Sequence, residues 1–587
     1  MMRNVMTSDS GTITGRARRF RPLFLLGLAL SLPTNAVLAA PSEVRAWVYF
    51  TDKGLQDPAS QAQARREAIA RLDPHALARR TKTFGPALID ARDLPVNPEY
   101  LARVQDLGAV IRNRSRWLNA ASVRADGEIL RRIQTLPFVR RVAPVAEGRV
   151  DRPAPSPESQ GARRLGGERD LLDYGPSLAQ LEEIGVVAAH QRGLSGRGVR
   201  IGMMDTGYWR DHPTFQRLLG EGLLVAQWDF INHDGETEDG PGDPAGQQNH
   251  GTSTWSLIGG FTQGELIGAA YEAELLLAKT EDTSGEYPAE EDNWIAAMEW
   301  ADSLGADILS TSLDYIQWYT YRDMDGDTAP ITIASDIAAG RGMVVVVAAG
   351  NWGTQDWYYI GAPADGDSVI AVGASQADDT NWPDSSHGPT YDGRTKPEVA
   401  ARGAGTYCAV VPTQGNNDLY RFTNGTSVAC PLVAGAAALI LEAHPDWPAM
   451  RVREALMMTA DRASHPDNDL GWGRINVISA LSYAPAAAPG ARPAEAPRLI
   501  IAPNPSVAPI EILLRAGNAE KGFADSGRLD LFSASGALVR SFAMPVSGER
   551  VAWDGADAQG RPVAAGVYVA RWRAGSRVVS ARVVRAR

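Results

Sequence analysis

Between about residues 174 and 483, short and almost wholly apolar runs alternate with longer segments of helical character. The runs are 199–204 (VRIGMM), 274–278 (ELLLA), 308–313 (ILSTSL), 343–349 (MVVVVAA) and 368–372 (SVIAV). A strand with no polar alternation is buried on both faces, and the helices between such strands supply the cover. The pattern predicts an α/β unit built on a parallel sheet. In such sheets, ligand sites gather outside the carboxyl ends of the strands.

Different patterns flank this unit. Residues 43–50 (EVRAWVYF) read as a strand, 59–72 as a helix, 109–116 and 117–124 as strands, 126–135 as a helix and 138–145 as a strand. That β-α-β-β-α-β order predicts a small ferredoxin-like module. A polar stretch with Pro and Gly follows, and a Pro/Ala linker (APAAAPGARPAEAP) occupies 484–497. Residues 498–587 are strand-rich with turn signals at 533–536 and 557–560, as expected of a small β-sandwich. The expected division is therefore 40–150, a linker at 151–173, 174–483, a linker at 484–497, and 498–587.

The chain is 587 residues long, which suits several domains. Its net charge of −11 argues against a general nucleic-acid binder. At the N-terminus, Arg16, Arg18, Arg19 and Arg21 precede the apolar run 23–32 (LFLLGLALSL) and the small residues 36–40 (AVLAA). This is the pattern of a secretory signal over 1–39, cut after Ala39, and it predicts a secreted protein. A membrane span needs about 20 apolar residues. Neither this run nor any later stretch reads as one. The two cysteines, Cys408 and Cys430, leave two readings open: a disulfide formed after export, or buried thiols.

The chemistry concentrates at predicted element ends. Residues 424–431 (NGTSVACP) precede an Ala-rich apolar stretch, so Ser427 opens a helix, where free backbone N–H groups and the helix dipole favour a developing anion. Pro431 is expected within the first turn, where its missing N–H costs nothing. Ser427 is either a helix cap or a nucleophile. His250 (NHGTST) stands at the start of a second helix and is the candidate base. Asp205 ends a central strand before Thr206-Gly207 and is the candidate orienter of that base. Asn351 follows a strand in the sequence AAGN, where its amide can donate to an oxyanion.

These blocks resemble the subtilisin-like serine proteases, or subtilases: DTG at 205–207, HGT at 250–252, AAGN at 348–351 and GTSVACP at 425–431, in the order Asp, His, Ser. The stretches 385–389 (SSHGP) and 392–398 (DGRTKPE) add to the likeness. The resemblance implies an endopeptidase that hydrolyses protein and peptide substrates. Ser427 would attack the carbonyl, His250 would shuttle the proton, and Asp205 would hold the imidazole. Asn351 and the Ser427 N–H would form the oxyanion hole, with no metal needed for the chemistry. The filled positions set aside a rival reading as a non-catalytic binding protein on the same scaffold. Residues 40–150 would be a propeptide that assists folding and inhibits the enzyme intramolecularly by occupying the cleft.

By the same resemblance, Ser312-Leu313-Asp314 would pair with substrate backbone and border the pocket for the residue before the scissile bond. Asp stands there in place of the family's Gly. One reading is that Asp314 selects a basic side chain; the other is a local bond or solvent exposure. Two acidic clusters are candidates for structural calcium: Asp234, Glu236, Glu238, Asp239 and Asp243, and Asp323, Asp325 and Asp327. The alternative is plain solvated loops. The C-terminal module resembles immunoglobulin-like tails of secreted bacterial proteins, through 503–505 (PNP), 531–539, 553–555 (WDG) and 560–568. That likeness implies either a sorting element that engages a secretion system or an accessory sandwich.

Overall fold

The computed structural model describes residues 44–55, 57–85, 88–145, 172–413, 415–484, 498–502, 509–515, 527–534, 536–544, 550–574 and 577–586. The expected signal segment, most of both linkers and the 503–505 motif lie outside the described residues.

The N-terminal module pairs β1 (Val44–Phe50), β2 (Val110–Ser115), β3 (Ala120–Ala125) and β4 (Val139–Pro144) in the order β2-β3-β1-β4. All three pairings are antiparallel. This is the ferredoxin-like arrangement expected. One part differs: between β1 and β2 stand three helices, α1 (Pro58–Ala70), α2 (Pro74–Phe84) and α3 (Pro98–Asp106), where the sequence reading placed one. Each opens on an Asp or Asn whose side chain accepts from the first turn, followed by Pro at the first position. The second connection is α4 (Gly127–Gln134).

The central unit is a seven-stranded parallel sheet. Its strands are β5 (Arg200–Asp205), β6 (Leu224–Asp229), β7 (Glu274–Lys279), β8 (Ile308–Thr311), β9 (Val344–Ala348), β10 (Ile370–Ser375) and β11 (Val399–Arg402). They lie in the order β11-β10-β9-β8-β5-β7-β6. Thr311 pairs with Met204 on one side and Val347 on the other, so β5, β8 and β9 leave the sheet at one level.

Among its helices, α5 (Asn249–Gly259) and α8 (Thr426–Ala443) carry site residues, and α6 (Ala289–Ser303) and α7 (Pro330–Gly340) stand between strands β7, β8 and β9 in the chain. Helix α8 corrects the expectation that no later stretch could span a membrane, because its length and apolarity meet that test. It is instead a core helix, with 83% of its residues buried. An element packed on all sides needs no polar face.

The C-terminal region forms two antiparallel sheets. One comprises β12 (Arg498–Ala502), β13 (Ile510–Arg515) and β16 (Arg550–Trp553). The other comprises β14 (Arg528–Ser533), β15 (Leu538–Ala543), β17 (Gly566–Ala574) and β18 (Arg577–Arg585). Trp553 and Trp572 are fully buried in their shared core. Both expected turns close, with Gly536 N donating to Ser533 O at 2.9 Å and Gly560 N to Asp557 O at 3.0 Å.

The N-terminal sheet packs on α6. Trp47, Tyr49 and Trp117 join one apolar cluster with Trp294 and Met298. Glu299 accepts from Ser115 Oγ at 2.6 Å and from the backbone N–H groups of Arg116 and Trp117. Asp292 accepts from Ser122 Oγ.

Candidate active site

Asp205 is the last residue of β5 and is 1% exposed. A buried carboxylate must find donors, and this one has three. His250 Nδ1 lies 2.7 Å from Oδ1, Thr206 N donates to Oδ1 at 2.7 Å, and Thr254 Oγ1 donates to Oδ2 at 2.9 Å. His250 and Thr254 are one turn apart on α5 and so share a face. Gly251 lets that helix close on the turn after β5, because a Cβ there would strike Gly207 O. The imidazole is thus held through Nδ1, while 38% of the His250 side chain faces solvent.

Ser427 is the second residue of α8. The residue ahead of that helix, Gly425, has φ +145°. A point where its Cβ would stand is 3.7 Å from Ser427 Oγ and 3.8 Å from Asn351 Nδ2. The serine hydroxyl and the asparagine amide therefore border one small space, which a side chain at residue 425 would fill.

The Asn351 amide has a fixed direction. Its Oδ1 accepts from Thr426 N at 2.9 Å and from Thr426 Oγ1 at 3.0 Å. Thr426 Oγ1 in turn accepts from Gly350 N at 3.2 Å. With the oxygen end occupied, the Nδ2 end is left to face the space beside Ser427. The sequence reading singled out neither Thr426, which it quoted only within 424–431, nor Thr254.

Pro431 is placed differently from expectation. It is the sixth residue of α8, not a first-turn residue, so its missing N–H orphans the carbonyl of Ser427. Ser312 Oγ donates to that carbonyl at 2.8 Å. Ser312, just beyond β8, thereby ties the substrate-strand candidate to the turn that carries the serine.

Leu313 is buried, and Asp314 is partly exposed. Trp352 Nε1 donates to Asp314 Oδ2 at 2.5 Å. The same oxygen sits 3.0 Å from where a Cβ of Gly350 would be and 2.7 Å from that of Gly361. A carboxylate thus occupies a recess beside the Asn351 segment that the two glycines keep open. Burial pushes its carboxyl up to about 6, against the pull of the Trp352 bond.

Both cysteines are free and buried. Cys430 packs behind Ser427, donating to Thr311 O at 3.3 Å, and burial pushes its thiol up to about 12. It is a small core residue, inert as a nucleophile.

The first acidic cluster expected for calcium already holds internal cations. Lys279 Nζ is 2.6 Å from Asp243 and 3.0 Å from Asp229, and Arg210 pairs with Glu236 and Glu238. In the second, Asp325 pairs with Arg550 of the C-terminal region, and Asp323 accepts from Thr320. A different trio, Glu281, Glu286 and Glu290, brings buried carboxylates within 4.8 Å of one another. Glu281 accepts from Tyr315 OH at 2.5 Å, and Glu290 accepts from Asp282 N and Tyr287 N.

The chain is similar to known proteases. The profile of the subtilase family covers residues 196–473, and that of the peptidase S8 propeptide domain of Bacteroidota covers 45–160. Serine protease AprX of Bacillus subtilis is 31% identical over 337 residues, spanning 53% of this chain and 72% of the relative. Subtilisin DY of Bacillus licheniformis is 32% identical over 53% of this chain and 98% of its own length. Thermitase of Thermoactinomyces vulgaris is 30% identical over 53% and 96%. The chain therefore belongs to the subtilase family, as a serine protease that hydrolyses peptide bonds and carries a propeptide domain ahead of its catalytic domain.

Proposed function

We propose that the protein is a secreted serine endopeptidase, made as a propeptide-inhibited precursor, in which Asp205, His250 and Ser427 form the catalytic triad. The bond from His250 Nδ1 to buried Asp205 carries this reading. It fixes the tautomer that leaves Nε2 as the base for Ser427 and stabilises the imidazolium once formed. Asn351 Nδ2 and the Ser427 N–H would meet the oxyanion. A fluorophosphonate probe is expected to label Ser427 in the processed chain. Absence of labelling there would sink the proposal.

Asn351→Ala is expected to lower kcat about 10²–10³-fold with little change in KM, the loss known for the corresponding donor in subtilisin, the worked case of this effect. Steady-state kinetics on a peptide substrate checks it. An equal loss carried by KM alone would remove the oxyanion role.

Ser312, Leu313 and Asp314 would line the strand that receives the substrate, and Asp314 would favour Arg or Lys before the scissile bond. The carboxylate of partly exposed Asp314 beside the Asn351 segment supports that reading, while the bond from Trp352 is the local bond of the alternative. A cation entering the recess would displace no charge and would gain a charge-assisted bond. Arg substrates are expected to exceed Leu substrates in kcat/KM by about 10-fold or more, and Asp314→Gly should remove that preference. No Arg advantage in the wild type counts against it.

The seam with the propeptide is expected to weaken as pH rises. Burial pushes the Asp292 carboxyl up to about 7, outweighing Ser122, Arg112, Arg45 and Trp47. Freed of the propeptide, it should return toward the ordinary 3.8. The complex therefore favours the protonated form. It is tightest below the ordinary value and loses affinity up to about pH 7, beyond which nothing more is lost. Retention of the cut propeptide should be weaker at about pH 7 than at about pH 5, with a shallower slope in Asp292→Asn, because burial also raises the Glu299 carboxyl at the same seam. An unchanged slope in the variant would count against this account.

Secretion follows from the 1–39 signal pattern, and the C-terminal sandwich is proposed as a sorting or accessory element. Deleting 498–587 separates the two. Loss of export with normal peptidase activity marks sorting, and normal export marks an accessory role.

A further inference from the structure

The propeptide touches the catalytic domain at a second place, at the opposite end of the sheet from the cleft. Helix α2 lies against the loops that lead into β8 and β9 and against the first residue of β5, which are the amino ends of three central strands. Arg79 is 2% exposed and Arg80 is fully buried. Their guanidinium groups each lie 2.5 Å from one oxygen of Asp302, which is also fully buried. Arg79 further donates to the carbonyls of Asp302, Ala306 and Arg341. Asp73 N donates to Ser303 O at 2.9 Å, and His75 Nε2 is 3.3 Å from Asp307. The catalytic side is shaped for this helix. A Cβ on Gly305 would lie 2.7 Å from His75 Cβ, and one on Gly342 would strike Thr83.

We propose that α2, through Arg79, Arg80 and Asp302, is a second docking element of the propeptide that sets how long the cleaved propeptide stays on the catalytic domain. The proposal rests on the reading of residues 44–145 as an inhibitory propeptide. Its physical basis is that the three arginines that pair with Asp302, Arg79, Arg80 and Arg116, all belong to the propeptide, so Asp302 loses these ion pairs when the propeptide leaves. Burial alone would raise the Asp302 carboxyl. The guanidinium groups of Arg79, Arg80, Arg116 and Arg341 outweigh it and hold the group ionised below its ordinary value. Replacing one partner within the complex leaves the other charge buried without it, which is far costlier than losing an exposed pair. The site left open would take a helix bearing adjacent arginines, which α2 itself supplies.

The test uses the full chain with Ser427→Ala, to prevent self-digestion, and a cleavage site for an unrelated protease placed within 151–169. After cutting, the release rate of the N-terminal fragment is measured. Arg79→Gln removes contacts made only with the catalytic domain, and Asp302→Asn removes that pairing, together with those to Arg80 and Arg116, from the other side. Each is expected to speed release about 100-fold or more, and the double variant should fall short of the product of the two, since the Arg79–Asp302 pair is common to both. Melting of the uncut chains reports folding, and the two variants lie on different partners, so one misfolded variant leaves the other to decide. Release within about threefold of the wild type in a folded variant overturns the docking element alone. Immediate release in the unaltered pairing overturns both the docking element and the inhibitory reading. Retention without inhibition, in a chain that keeps Ser427, overturns the inhibitory reading and leaves the anchor standing.

Discussion

Ser427→Ala is expected to lower kcat on the order of 10⁶-fold, the magnitude known for removing the same residue in subtilisin, the worked case for this chemistry. The physical argument is that the neighbouring hydroxyls and thiol are engaged elsewhere, beginning with Thr426 Oγ1, which donates to Asn351 Oδ1. Cys430 is buried behind the helix with its thiol pushed up to about 12. Ser312 Oγ is committed to the Ser427 carbonyl. Residual turnover would come from binding and the oxyanion donors. Stability should hardly move, because Ser427 is partly exposed and α8 has no side-chain cap to lose. Unchanged melting with activity near background is the expected pair of results. Retention of more than about 1% of kcat would reassign the nucleophile.

Asp205→Asn is the second large effect, on the order of 10⁴-fold in kcat with KM little changed, the magnitude known for removing the corresponding carboxylate in subtilisin, the worked case. Asp205 accepts from His250, Thr206 N and Thr254 at once. An amide offers one oxygen and one NH₂ in place of two acceptors. Thr206 N can only donate, so it claims the oxygen at Oδ1, the oxygen that His250 also uses. The oxygen left there still accepts from His250 Nδ1, so the tautomer persists, but the imidazole loses the charge that stabilises its protonated form. Thr254 can rotate to accept from the new NH₂, so the fold should persist. A kcat loss below about 10-fold would show that Asp205 does not act through His250.

The sequence carried the strands of the central sheet well, because strands buried on both faces are uninterrupted apolar runs. It also carried the ends of those strands, where Asp205 and Asn351 stand. The missed helices α2 and α3 were signalled by Asp73-Pro74 and Asn97-Pro98, each an N-cap followed by Pro. Their apolar rhythm was masked in α2, where Arg79 and Arg80 take buried positions that periodicity reserves for apolar residues. Thr254 was legible in principle, one helical turn after His250. Trp352, adjacent to Asn351, had no sequence signal for its bond to Asp314.

Pro431 shows where local reading stops. Its position in the chain suggests a helix start, but the start is set by Gly425, whose backbone conformation is a tertiary outcome. The cost of the missing N–H is met by Ser312, more than a hundred residues earlier. Likewise, clustered carboxylates suggested calcium, and only the folded chain brought Lys279 and Arg210 to most of that cluster.

By itself the sequence determined the layered α/β core, the flanking modules and the residue types for acyl transfer at strand and helix ends. Spacing and apolar runs are local properties, and local sterics and burial fix them. Only the tertiary structure decided which groups meet: Asp205 with His250 and Thr254, Thr426 with Asn351, Asp314 with Trp352, and Asp302 with the propeptide arginines. The reason is that hydrogen bonds and ion pairs act over a few ångströms, and distant segments come that close only when the whole core is packed.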